Sequence, residues 1–116
     1  MEKLQIKTTN LFAEGIYIDG SITILKGSKA KKDVSSSFPE SLQSKREEMI
    51  NAGILIDCVN CLMFAKDYSC NSASEASNLI NGASTNGLLV WKDSNGKTLK
   101  WKMRNDPLYN NEIIKR

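Results

Sequence analysis

Three thiols are the most reactive side chains in this chain, and their spacing raises a metal or redox question first. Cys58 and Cys61 stand three apart, with Cys70 downstream. A Cys-x-x-Cys pair can supply half of a zinc site or cycle between dithiol and disulfide. Zinc takes four ligands, usually from paired knuckles. Three thiols and no histidine would leave Asp57 or Asp67 to complete the set. A thioredoxin-type pair normally opens a helix after a strand, whereas this pair spans an expected hairpin turn. The pattern therefore favours adventitious free cysteines, with Cys61 partly buried, and no metal or cofactor is expected. Pairing of Cys58 with Cys61 under oxidation stays open.

Cations form the second candidate set. Lys97, Lys100, Lys102 and Arg104 alternate with apolar residues near the end of the chain, and Lys26, Lys29, Lys31 and Lys32 crowd a polar stretch earlier on. If the two groups converge, they make a surface able to contact phosphates. An edge strand kept soluble by lysine would show the same pattern. Trp91 and Trp101 could stack on bases, but each shares a face with aliphatics, Leu89 and Leu99, which favours core positions for both.

The absence of histidine removes the commonest general base and the commonest metal ligand. Asp67 and Glu75 could form a carboxylate pair, yet nothing positions a nucleophile beside them. No catalytic residue is assigned, a non-catalytic protein is expected, and a small-molecule substrate is not. With 116 residues, 41% hydrophobic and 25% charged, the chain suits one globular domain. The net charge of +3 is spread over both halves: nine basic and eight acidic side chains in the first 66 residues, seven and five in the rest. It permits a polyanionic partner without requiring one. No apolar leader and no span of transmembrane length stands out, and three cysteines suit a reducing, bacterial-type cytoplasm.

These residues need a scaffold. Residues 2–10 could form a short edge strand. In 15–27, Ile16 and Ile18 on one arm and Ile22 and Ile24 on the other read as a hairpin turning at Asp19-Gly20. The lysine-rich stretch 27–38 reads as a loop. A helix should start near Ser37, with Pro39 in its first turn, carry Phe38, Leu42, Met49 and Ile50 on one face, and end at Gly53. Two strands, 54–57 and 61–66, should flank a Cys58-Val59-Asn60 turn. Ser72 and Glu75 form a capping box for a second helix that stops at Gly82. Its Ser72–Ser74 N-terminus could hold an anion, but Glu75 opposes that and a self-satisfied cap is favoured. Asn86-Gly87 then turns the chain into strand 88–92, and 93–96 turns it into strand 97–104, with Leu99, Trp101 and Met103 on the packed face. The fold expected is a single α+β domain over 1–104, an antiparallel sheet with two helices in the order ββ-α-ββ-α-ββ. Residues 105–116 read as a loose tail.

The run Asp67-Tyr68, Ser72-Ala73-Ser74, Ala76, Gly82, Ser84, Asn86-Gly87, Trp91-Lys92 and Gly96-Lys97-Thr98-Leu99 resembles the bacterial domain of unknown function 4357. Upstream, Gly15-Ile16-Tyr17, Gly27-Ser28-x-Ala30 and Arg46 before Gly53-Ile54-Leu55 match it as well. The resemblance covers about residues 14–101. It implies structural roles for Ser72, Ser74, Glu75, Gly82, Asn86, Gly87 and Trp91. It also implies the company of GIY-YIG nuclease or restriction-modification proteins, hence DNA or a nuclease or methylase partner. Ala73, Leu88, Cys70 and Ala83 depart from the family's Pro, Trp, aromatic and basic residue, which puts any site built on that Trp and that basic residue in doubt. Gly15-Ile16-Tyr17 is not itself a nuclease signature: no Tyr-Ile-Gly follows, and no helix offers the arginine and glutamate such a site needs. The function expected is a non-catalytic accessory module that contacts nucleic-acid phosphates through basic strand and loop residues. The alternative is a protein-interaction domain.

Overall fold

The computed structural model describes residues 2–105. Strand alternation sets the first layer. In β1 (Glu2–Lys7), Leu4 and Ile6 point inward; in β2 (Phe12–Ile18), Ala13, Gly15 and Tyr17 do. β3 (Ser21–Ile24) follows through Asp19 and Gly20, both at positive φ (47° and 90°), the backbone a two-residue hairpin turn demands. The register pairs Tyr17 with Ile22 and Gly15 with Ile24. Because side chains alternate faces, Ile16 and Ile18 therefore point away from Ile22 and Ile24, and Ile18 is exposed. The expected hairpin is present, but its inward arm is the other half of β2.

Stretch 27–38 is not all loop. Ala30 is fully buried at the centre of β4 (Lys29–Lys31), which pairs with β6 (Cys61–Phe64), itself paired with β5 (Leu55–Asp57). β7 (Tyr68–Cys70) returns to the first sheet beside β3. Two antiparallel sheets result, ordered β1-β2-β3-β7 and β4-β6-β5. Ser28 stitches them together: its buried hydroxyl accepts from Glu14 N–H at 2.9 Å and donates to Glu14 C=O at 3.2 Å.

Helix α1 (Glu40–Asn51) starts after Pro39 and ends as Gly53, at φ 77°, lets the next N–H groups reach back to Met49 and Ile50. Met49 is buried on it, while Ile50 is exposed. Helix α2 (Ala73–Asn81) has the box: Ser72 Oγ accepts from Glu75 N–H, and Glu75 reaches back to the N–H of Asn71. Its small residues let it sit over β3, β4 and β7, bridging both sheets, with α1 alongside.

The expected final two strands are helices instead. Asn86 caps a single turn, α3 (Gly87–Val90), by accepting from Leu88 N–H. Only Lys92 and Thr98 keep strand character, bridging each other, with Lys92 also bridging Gln5 of β1. Thr98 Oγ1 then accepts from Trp101 N–H and starts α4 (Leu99–Asn105). The domain is thus α+β and antiparallel, with two sheets and four helices over the described residues rather than one sheet and two helices. The expected tail lies beyond the described residues except for Asn105, which ends α4.

Candidate functional site

The residues of the 72–91 signature form one packing knot. Trp91 is fully buried, and its indole N–H donates to Ala73 C=O at 3.0 Å. Its ring lies on Gly15, where a Cβ would come within 3.0 Å of it. Ser74 Oγ accepts from Gly87 N–H at 3.0 Å, and a Cβ on Gly87 would stand 2.3 Å from the Ala73 carbonyl carbon. Gly82, at φ 64°, closes α2 while its C=O accepts from Ser35 N–H. Every one of these contacts is internal, so the signature holds α3 flush against the first turn of α2.

The cations fare differently. Helix geometry places positions 99, 102 and 103 on one face instead of 99, 101 and 103. Lys102 is consequently buried, 7% exposed, with its ammonium 3.1 Å from Asp93 and 3.6 Å from Glu2. It leaves the phosphate-contacting set for the interior. Trp101 moves the opposite way and is 43% exposed, correcting its expected core position. Lys97 stacks over its ring at 4.7 Å, and Lys100 and Arg104 are exposed on the helix, so the expected basic strand is a basic helix.

On β4, Lys29 and Lys31 point outward on either side of buried Ala30. Lys32 pairs with Asp57 at 2.9 Å and donates to Val59 C=O. The bond from Lys32 to the Asp57 carboxylate, with that from the Val59 N–H, holds the Asp57 carboxyl below its usual range. Lys26 sits at the turn between the sheets, its N–H bound to Asp67.

A groove collects the β4 lysines with two that sequence reasoning passed over. Three adjoining hollows of about 370, 610 and 400 Å³ wrap around the β1–β2 turn, and Thr8 lines all three. Lys7 and Lys92 line the first, Lys31 and Lys32 the second, and Lys7 and Lys29 the third. Asn81 and Val90 are shared between the first two hollows, so the walls are continuous. Two acids face it. Asp33 is one; Asp93 is already held by Lys102 and by the N–H groups of Asn95 and Lys97. Burial raises the Asp93 carboxyl, but these donors outweigh it and leave the group below its usual range. Lys26, Lys97, Lys100, Lys102 and Arg104 do not line this groove. Gly96, the residue before Lys97, does line it. Ala83, where the resemblance has a basic residue, is part of its wall.

The thiols do not form a centre. Cys70 is buried, and that burial pushes its thiol up to about 12, far from a reactive thiolate. Partial burial and the neighbouring Cys61 hold the Cys58 thiol above its ordinary value. Among the described residues no three of Cys, Asp and Glu gather as a metal would require, and no helix is long and apolar enough to cross a membrane.

A family model described as Domain of unknown function (DUF4357) matches residues 4–102, beginning earlier than the upstream motifs suggest and spanning nearly all of the described chain. No curated protein and no solved structure matches.

Proposed function

The chain belongs to the DUF4357 family, and from that premise we propose that it is a non-catalytic module that grips nucleic-acid phosphates in the groove around the β1–β2 turn. The observation that carries this reading is the gathering of Lys7, Lys29, Lys31, Lys32 and Lys92 on one continuous concave surface. Lysine ammoniums along a groove follow a phosphate backbone without reading its sequence. The amides and hydroxyls between them, on Thr8, Asn10, Asn60 and Asn81, suit phosphate oxygens and sugars. An accessory role in a nuclease or modification system, in a reducing cytoplasm, fits the resemblance and the three free thiols.

The test is DNA affinity as a function of salt. The logarithm of affinity should fall linearly with that of salt concentration, and Lys31→Ala or Lys92→Ala should each reduce the slope by about 1. Amide shifts at low salt should centre on residues 7–11, 29–32 and 92–96. No binding at low salt sinks the proposal, and a concentration-dependent particle size beside that result would favour an assembly domain.

A further inference from the structure

Helix α4 carries an exposed indole among cations, as the groove carries the exposed Phe12 ring. Trp101 is 43% exposed on α4, and the helix with the two residues before it, 97–105, includes Lys97, Lys100, Lys102 and Arg104 and no acid. Lys102 is turned inward, and Lys97, Lys100 and Arg104 are exposed. The Lys97 ammonium sits over it at 4.7 Å. Arg104 is three residues on from Trp101 and four from Lys100, so all three share one side of the helix. Burying an indole would be the ordinary outcome; leaving it in water beside Lys97 is not needed by the fold, since Leu99 and Met103 already pack α4 down.

We propose that this face of α4 is a stacking platform for single-stranded nucleic acid, with a base on the Trp101 ring and flanking phosphates on Lys97, Lys100 and Arg104. The charge and the ring select the occupant together. A polyanion alone has no use for the indole, and an apolar peptide has no use for three cations. A duplex keeps its bases stacked on one another, whereas a single strand can lay one on an aromatic ring. The proposal deepens the phosphate-binding reading and rests on it: Gly96, immediately before Lys97, lines the groove, so one strand could run from groove to platform.

Tryptophan fluorescence separates the two ideas, because Trp91 is sealed in the core at 0% exposure and only Trp101 can meet a base. A thymidine oligonucleotide added to the full chain should quench emission to saturation, and a duplex of equal length should quench it much less. Trp101→Phe should abolish the quench while largely keeping affinity. Trp101→Ala should weaken single-strand binding roughly tenfold and leave duplex binding unchanged. Thermal melting checks that both variants fold. Equal loss for single strand and duplex, or no loss for either, overturns the platform while the groove reading survives. Binding to neither polymer overturns both.

Discussion

Among the described residues two cations are buried, and their partners differ in kind. Arg46, 3% exposed, joins α1 to the end of β4 and to α2. Its guanidinium donates to the carbonyls of Lys31, Lys32 and Leu79, and its face lies 5.5 Å from the centre of the Phe38 ring. Lys102 joins α4 to β1 and to the Asp93 loop through two carboxylates. At one joint a delocalised charge is held by neutral dipoles, one of them in the last turn of α2, where the helix is negative. At the other, a compact ammonium is held by formal charges. The first joint is insensitive to pH over the range where proteins fold. Burial lowers the Arg46 guanidinium, but from a value so high that it stays protonated. The second depends on the ionisation of Asp93.

Removing Arg46 should have the largest effect. Arg46→Met leaves three carbonyls without their donor and should cost about 3–5 kcal/mol, read by denaturant unfolding. Arg46→Lys should recover little, since an ammonium cannot span the same fork. Lys102→Met should cost less, about 1–3 kcal/mol, because Asp93 keeps two backbone N–H donors and Glu2 can turn to water. If the two substitutions cost the same, the distinction between the joints is empty. The smallest effect should come from acid. The folded Asp93 carboxyl lies below its usual range, so its stabilisation is complete above the unfolded carboxylate range and disappears as pH falls through the folded value. Hydrogen exchange at residues 97–105 should then quicken before exchange at α1 and β4 does. Asp93→Asn should erase that order, and simultaneous opening of both joints would contradict it.

The same divide separates what the sequence made legible from what it hid. Asp19-Gly20 and the Ser72/Glu75 box are local signals, complete within a few residues, and both turned out where their chemistry demands. The α+β class followed from them. Beyond Gly82 the local signals conflict. Leu99, Trp101 and Met103 alternate as a strand would, while Leu99, Lys102 and Met103 satisfy a helix equally well, and seven residues are too few for periodicity to decide. Thr98 as an N-cap was the better clue, as was Asn86 before the single turn of α3. β4 and β7 are three residues each, too short to show a pattern. The groove could be read only in part: Lys29, Lys31 and Lys32 were legible as a basic cluster, but Lys7 and Lys92 are far from them in the chain, Lys92 reaching β1 through its bridge to Gln5 and β4 reaching the first sheet through Ser28 and Glu14.

That bridge, with the Trp91 ring on Gly15, also sets an order of events during synthesis. β1 and β2 leave the ribosome long before Trp91 does, and until it arrives the sheet's inner face lacks the ring that fits over Gly15. Contacts between segments this distant form late and slowly, because a long loop must close before they stabilise anything. The nascent hairpins wait half-covered, which is when unpaired edges and bare apolar faces are most exposed to neighbouring chains. The indole that seals the sheet therefore makes the domain's arrival a single late step.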